Sequence, residues 1–583
     1  MPSVSLEQKR HTLAHLLAAA VLERYPHAKL TIGPSIDTGF YYDFDFSGGD
    51  VPGENELAEL EASMRELLPS WTDMTGTEVS AEDARDRFAG NPYKLELIDG
   101  IVENGEKITL YTAGTFTDLC RGGHSEHPAH DIAADSFSLD RVAGAYWRGD
   151  ESKPMLTRIY GLAFDTKEEL DAYKAQREEA QARDHRKLGK ELDLFTFSPL
   201  VGSGLPLWTP KGTLLRRELD IFVQELRAKH GYTPVTIPHI TKKDLYETSG
   251  HWQKFGDELF RITTREGKEY AVKPMNCPHH TQIFDRKPHS YKEMPQRYSE
   301  TTMVYRDEQS GELGGLTRVL SITQDDSHVF CRMNQVKDEF FKIWDIVDTL
   351  YGAFGFELKV RLSFHDPKEM EKYLGTEETW QAAEKALREI AEERNADYFE
   401  GIGEAAMYGP KLDFMATDSM GRQHQVATIQ LDMLQPERFD LTCINEKGEK
   451  ERIVMIHCAI MGSFERFIAV LLEHLGGNLP LWLSPVQVRI LPVSEKQEAY
   501  ADEIAAALSA KGVRAEVDGN DSLGKRIRAT KLERIPAFVV VGDKELEAKE
   551  VTVENNRTGE KRTLSLENFV QGTVERIKER AND

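Results

Sequence analysis

ETTMVYRDEQSGELGGLTRVLSITQDDSHVF, residues 300–330, is the stretch that decides the fold. Its two halves, MVYR and LTRVLSITQ, are short and rich in β-branched residues, and EQSGELGGL between them carries three glycines. That pattern predicts two antiparallel strands joined by a long hairpin loop. Arg306 and Arg318 flank the loop, and guanidinium groups match phosphate oxyanions through paired hydrogen bonds. The acidic pair Asp325 and Asp326 precedes His328, a residue of metal-ligand type, and KPMNCPHH upstream supplies a second, Cys277. A Cys–His pair so far apart in sequence is ordinary on its own; a third ligand makes it a site.

The third candidate is His457, inside the apolar run RIVMIHCAIM, which predicts a buried strand. After a turn at Gly462–Ser463 the pattern predicts an amphipathic helix from Phe464, with Arg466 in its first turn. One thiolate and two imidazoles with a position left open is the ligand set of a Zn²⁺ that receives a substrate. EAAMYGPKLDFMATDSMGRQHQVATIQLDML alternates on both sides of an Asp-Ser-Met-Gly turn, predicting a hairpin. It sets Tyr408, Lys411, Gln425, Thr428 and Gln430 near one sheet surface. Residues 333–354 and 367–394 are helical by period around the strand FELKVRLSF.

The whole chain bounds these readings. Its 583 residues predict three to four domains at roughly 150 residues each. A composition 40% hydrophobic and 29% charged is that of a globular protein. No apolar run approaches the ~20 residues that span a bilayer, and the N-terminus enters an amphipathic helix without a signal-peptide pattern. Five scattered cysteines do not make a disulfide framework, and the chain is expected to be cytoplasmic. The net charge of −25 argues against a non-specific nucleic-acid coat, but leaves room for local basic patches.

Towards the N-terminus, LEQKRHTLAHLLAAAVLERY predicts a helix with His11 and His15 one turn apart on one face. The run HTLAH lacks the glutamate of a zinc-protease helix. IGPSIDTGFYYDFDF, holding Tyr42, is strand-like; residues 55–86 read as helix; NPYKLELI holds Lys94. KITLYTAGTFTDLCRGGHSEH carries Asp118, Cys120 and His124 around a Gly-Gly turn, and AYWRGDE and MLTRIYGLAF read as closing strands. Two His on a helix plus a CxxxH are either a four-ligand metal site or a polar pocket for general acid–base chemistry. Residues 166–192 predict one solvated, charged helix and a domain boundary.

A helix at about 211–229 precedes a β run whose Pro234 and Pro238 mark an edge or interface strand. From Ser484 β and α alternate, predicting a compact α/β domain with one locally basic helix, LGKRIRATKLER.

On these residues the sequence resembles the bacterial-type threonyl-tRNA synthetases, a class II aminoacyl-tRNA synthetase family, over nearly its whole length. The strand with Pro238 resembles motif 1, YRDEQSGELGGLTR motif 2 and GSFERF motif 3, and Cys277, His328 and His457 fall at the family's zinc positions. The resemblance implies an α+β multidomain protein. An editing domain would occupy residues 1–165, a charged linker helix 166–194, a class II antiparallel-sheet catalytic domain 195–483 and an α/β anticodon-binding domain 484–583. It implies a homodimer that activates L-threonine with ATP and Mg²⁺ and transfers it to tRNA(Thr). Arg306 would clamp the threonine carboxylate and the α-phosphate, and Arg318 and Arg466 the outer phosphates. Asp326 would accept a hydrogen bond from the threonine hydroxyl, with one Zn²⁺ per subunit taking the amine and hydroxyl. Gln324, Tyr408, Gln425, Lys411 and Ser463 would be further substrate contacts.

A site built for a hydroxyl leaves polar groups unpaired against valine and rejects it strongly, but serine keeps the hydroxyl. One missing methyl discriminates by only ~1–3 kcal/mol. A hydrolytic second site is therefore expected. The resemblance assigns it to His11, His15, Cys120 and His124, with Lys94, Asp118 and Tyr42 as contacts and an activated water rather than a metal.

Two departures stand out. The small domain that commonly precedes the editing domain is expected to be missing, and Val-Ala-Thr stands before Ile429 where smaller residues are usual. The rival readings are a synthetase-like paralogue that charges no tRNA, a zinc hydrolase working from the N-terminal cluster, and a prolyl or seryl synthetase.

Overall fold

The computed structural model describes residues 4–581. The chain forms two compact units, one ending at Glu179 and one beginning at Ala180.

The first unit opens with α1 (Leu6–Arg24), started by a reciprocal cap in which Ser5 and Gln8 each accept from the other's backbone N–H. Its alanine-rich middle lets the helix be buried nearly all round, His15 included. Strand β1 (Gly39–Asp45) carries Phe40, Tyr42 and Phe44 at period two, and all three are fully buried. Helix α2 (Leu57–Leu67), strand β2 (Met74–Val79), helix α3 (Pro92–Glu103) and strands β3 (Ile108–Ala113), β4 (Phe116–Leu119), β5 (Phe137–Tyr146) and β6 (Met155–Ala163) follow. β6 runs between β1 and β5 in one sheet, and β2, β3 and β4 make a second, three-stranded one.

Three expectations are corrected here. Residues 55–86 are not one helix, because Pro69 closes α2 and the threonine-rich MTGTEV forms β2. AYWRGDE is not a strand: β5 stops at Tyr146 and the chain turns through Arg148 at φ 56°. The charged helix is two, α4 (Lys167–Ala182) and α5 (His185–Glu191), because Asp184 caps a new helix by accepting from the Arg186 N–H.

The second unit continues with α6 (Pro210–Lys229), the two-residue strand β7 (Thr233–Pro234) and α7 (Cys277–Asp285). Strands β8 (Gln296–Tyr305) and β9 (Ser321–Cys331) are the predicted hairpin, antiparallel through ten paired residues. The returning LTR lies in the loop rather than in a strand, because Gly315 takes φ +55° and Leu316 turns inward, fully buried. Then come α8 (Val336–Gly352), β10 (Glu357–Phe364), β11 (Tyr398–Ile402), β12 (Lys411–Thr417), β13 (Gln423–Asp432), β14 (Val454–Ala459) and α9 (Phe464–Leu475). The helix expected over 367–394 is a short turn at Pro367–Lys372 followed by a helix at Glu377–Glu393.

The eight strands order as β7-β8-β9-β14-β13-β12-β10-β11. β7 pairs parallel at one edge, where a proline costs no ladder bond. In the centre His328 of β9 stands directly opposite His457 of β14, which faces Gln430 of β13 on its other side. Period two then sets Gln324, Asp326 and His328 on one face of β9. The opposite face packs Leu412, Phe414, Ile429 and Ile456 into a core with Phe340, Ile343 and Val347 of α8.

The C-terminal part has strands β15 (Val488–Pro492) and β16 (Ala515–Val517), helix α10 (Leu523–Leu532), and strands β17 (Ala537–Val541), β18 (Glu550–Asn555) and β19 (Lys561–Ser565). The order is β16-β15-β17-β18-β19, parallel over the first three and antiparallel beyond. The basic helix α10 is only partly a solvated face: buried Arg526 donates to the carbonyls of Pro492 and Asp518. Among the described residues no helix is long and apolar enough to cross a membrane.

Two candidate catalytic sites

A cavity of about 610 Å³ opens on the face of the central sheet that carries His328 and His457. Its wall holds Arg306, Arg318, Gln324, Asp326, Tyr408, Lys411, Gln425, Ser463 and Arg466 together with Cys277, His328 and His457. The sequence scatters these residues from 277 to 466. The β8–β9 hairpin, the β12–β13 hairpin, β14 and the first turn of α9 bring them together.

At one end Cys277, His328 and His457 are all buried, and their ligand atoms lie within 4.8 Å of one another. Burial pushes the Cys277 thiol up and the His328 imidazole down, so without a cation both are held neutral. A cation between them reverses that preference for the thiol. Behind the imidazoles, His457 Nε2 is 2.8 Å from Asp432 Oδ2 and His328 Nδ1 is 2.7 Å from His280 Nδ1. Such partners orient metal-binding imidazoles, so donor set, spacing and support all fit Zn²⁺. Asp326 borders the cluster and accepts from Asn276 Nδ2 at 2.9 Å.

At the other end Arg306 stacks over Phe255, 5.5 Å from the ring centre, and its buried Nε has no hydrogen-bond partner among the described residues. Arg318 is half exposed and rests on Glu308 and Glu312 at 2.6 and 2.9 Å. Ser463 caps α9, accepting from the Arg466 N–H and donating to Glu465. Glu465 in turn accepts from the Thr323 N–H at 2.8 Å, joining α9 to β9.

The first unit holds a separate cluster. Cys120 Sγ is 3.3 Å from His11 Nε2 and 3.4 Å from His124 Nε2, and the ligand atoms of His11, His15, Cys120 and His124 fall within 4.8 Å of one another. The turn that returns His124 to α1 needs Gly122 and Gly123 at φ +107° and +83°. Beneath lie three fully buried groups: Tyr42 Oη and Lys94 Nζ each approach Asp118 at 2.5 Å. Asp118 also lies 3.1 Å from His15 Nδ1. Burial opposes charge on His15, yet Asp118 and Cys120 lift it to about 9. Burial likewise opposes a thiolate, but His11, His124 and His15 draw Cys120 down to about 3. His124 is held neutral by burial and by the positive His15.

With both geometries in view, comparison with known proteins is decisive. A family model described as "tRNA synthetase class II core domain (G, H, P, S and T)" matches residues 260–475, and one described as "Anticodon binding domain" matches 487–576. A threonine–tRNA ligase of Phocaeicola vulgatus is 47% identical over 578 residues, 98% of this chain and 88% of the relative. The chain belongs to the threonyl-tRNA synthetase family.

A further family member, from Deinococcus radiodurans, is 47% identical over 560 residues, 94% of this chain and 85% of the relative. A structure of the RNA binding domain of threonyl-tRNA synthetase from Cryptosporidium parvum is 39% identical at TM-score 0.64, covering 67% of this chain and 98% of that one. A prolyl-tRNA synthetase of Giardia lamblia, 18% identical at TM-score 0.55 over 70% of this chain and 81% of its own, shares the fold. Attachment of threonine to tRNA with ATP is therefore the activity, and class II synthetases use Mg²⁺ with ATP.

Within this member of the family some groups are less free than their sequence positions suggest. Gln425 accepts from Arg361 at 2.8 Å and donates to buried Asp413 at 2.9 Å, and Lys411 pairs with Asp413 at 3.3 Å. Lys94 and Tyr42 are bonded to Asp118 and to each other, so they brace His15. Val426 lines the cavity, while Ala427 is fully buried in the core. Sequence reasoning missed Asp432, His280, Glu308 and Arg361. All four lay inside stretches quoted above, and nothing local distinguished them from their neighbours.

Proposed function

We propose that this chain works in the cytoplasm as a homodimer, selects threonine on a Zn²⁺ held by Cys277, His328 and His457, and hydrolyses seryl-tRNA(Thr) in its N-terminal unit. The carrying observation is the buried Cys/His/His triad facing a cavity shared with Asp326 and three arginines. When bound there, Zn²⁺ would supply Lewis-acid coordination for the threonine amine and hydroxyl. Asp326 accepts from that hydroxyl, which separates threonine from valine. Arg306 neutralises the carboxylate and α-phosphate as the adenylate forms. Arg318 and Arg466 hold the outer phosphates, Arg318 leaving Glu308 and Glu312 to do so. Positioning and charge neutralisation carry such a reaction.

For editing, the exposed rim of the His11–Cys120–His124 cluster would hold a water that attacks the ester carbonyl; the cluster would take up its proton and return one to the ribose oxygen that leaves. The Asp118–Lys94–Tyr42 set holds His15. The short edge strand β7 and the exposed apolar Leu200, Val201 and Leu207 support a subunit interface.

The test is amino-acid-dependent ATP–pyrophosphate exchange with and without prior zinc chelation. Exchange strongest with threonine, weaker with serine, absent with valine and lost on chelation is expected; chelation-resistant exchange overturns the zinc reading. Seryl-tRNA(Thr) deacylation that survives His11→Ala/His15→Ala overturns the editing reading, and a monomer in sedimentation overturns the dimer.

A further inference from the structure

Outside both sites, the start of α5 touches the hairpin loop that carries Arg306 and Arg318. His185 Nδ1 lies 2.7 Å from Glu473 Oε1 on α9, and His185 Nε2 lies 3.0 Å from the backbone nitrogen of Leu316. An amide N–H can only donate, so Nε2 offers its lone pair and Nδ1 carries the proton that Glu473 accepts. The two partners thus select one neutral tautomer. The backbone N–H of His185 donates to the same Glu473 oxygen at 3.1 Å, and Arg422, from the turn between β12 and β13, holds Glu473 Oε2 at 2.7 Å.

The loop is shaped for this contact. A Cβ at Gly315 would stand 2.3 Å from His185 Nε2, and its φ of +55° is one that side chains rarely adopt. Leu316 is fully buried in the cluster that contains Leu188 and Leu192. Asp184, His185 and Glu473 are close enough to suggest a metal site. However, both imidazole nitrogens already have partners, and Asp184 caps α5 and holds Arg186.

We propose that His185 is a positioning residue for ATP, tying the returning arm of the phosphate loop to the helix that carries Arg466. Leu316 immediately precedes Thr317 and Arg318, and α9 presents Arg466 from its first turn to the same cavity. One ring therefore sets the spacing between two groups of phosphate donors that belong to distant parts of the chain. This rests on the proposed reading of Arg306, Arg318 and Arg466 as phosphate ligands. Of these groups only Arg306 also meets threonine, and His185 holds Leu316 and Glu473 rather than Arg306, so the effect falls chiefly on the nucleotide.

Two near-isosteres separate the halves of the contact. In His185→Asn the amide nitrogen falls near Nδ1 and keeps the donor to Glu473; in His185→Gln the amide oxygen falls near Nε2 and keeps the acceptor for Leu316. Pyrophosphate exchange in the full chain, with ATP and threonine varied separately, reads the difference. His185→Asn is expected to raise the ATP KM about tenfold, the scale of one lost hydrogen bond to a buried amide. The threonine KM should stay within about twofold, and His185→Gln should recover most of the loss. Hydrogen exchange at the Leu316 amide should quicken in His185→Asn but not in His185→Gln. Equal ATP KM in the two variants, or a matching rise in the threonine KM, overturns the proposal. Arg306→Ala, assayed alongside, tests the phosphate reading separately: an unchanged ATP KM there defeats that reading whatever the His185 variants do.

Discussion

Asp432 Oδ2 stands 2.8 Å from His457 Nε2, while its other oxygen accepts from the backbone N–H groups of Leu434 and Gln435. The carboxylate thus leaves His457 only Nδ1 with which to meet a cation. Asp432→Asn keeps the backbone cap and replaces the acceptor behind the ring with an amide. Metal affinity should fall roughly ten- to a hundredfold. Threonine-dependent exchange should then vanish at a correspondingly lower chelator concentration, with the ATP KM unmoved.

Asp326→Ala bears on selectivity. A hydrogen bond to a charged acceptor contributes ~1.5–3 kcal/mol, so the threonine KM should rise roughly ten- to a hundredfold. Steady-state exchange with ATP and threonine varied in turn checks this. An equal change in both constants would point instead to a general collapse of the cavity.

In the first unit, Asp118→Asn strands the Lys94 ammonium in a fully buried setting. Losing one partner of a buried ion pair costs about 3–5 kcal/mol. Burial favours the protonated Asp118, but Lys94 and His15 outweigh it and hold the carboxyl below its ordinary range. Its folded pKa is thus depressed, so its stabilisation is complete above about pH 4 and drains away as pH falls further. Hydrogen exchange in α1, followed from pH 7 to pH 3, should show protection lost at low pH in the unaltered chain and already reduced at neutral pH in the variant.

Cys120 is partly exposed and drawn down to about 3, whereas Cys277, Cys331, Cys443 and Cys458 are buried and pushed up. Iodoacetamide should label Cys120 first. Between pH 5 and 8 its rate should be nearly flat, where an ordinary thiol gains roughly tenfold per pH unit. Labelling should stop deacylation and spare pyrophosphate exchange; a rate climbing with pH would contradict the thiolate.

The parts legible in the sequence were those written in short-range pattern. The β-branched runs and the glycine-rich loop announced the hairpin, and once β9 is a strand its period of two sets Gln324, Asp326 and His328 on one face. Arg466 in the first turn of α9 followed from the Gly-Ser stop before an apolar helical period. What escaped depends on partners far away in the chain. Nothing near Gln425 says that its amide is held between Arg361 and Asp413. Nothing near Lys94 says that Asp118 will bury it. The loop residues 316–320 looked like strand because Val319 and Leu320 are apolar; Val319 is buried, while Leu320 is half-buried and bonds its backbone to Arg306 and Gly204.

His328 and His457 face each other across one rung of the β9–β14 ladder. Sliding either strand by a single residue would turn one imidazole to the far side of the sheet. The proposed zinc position would therefore double as a checksum on assembly, since strands contributed by widely separated stretches must settle into one alignment before the three donors converge. A chain that retains its metal through purification has, by that fact, paired the centre of its sheet correctly.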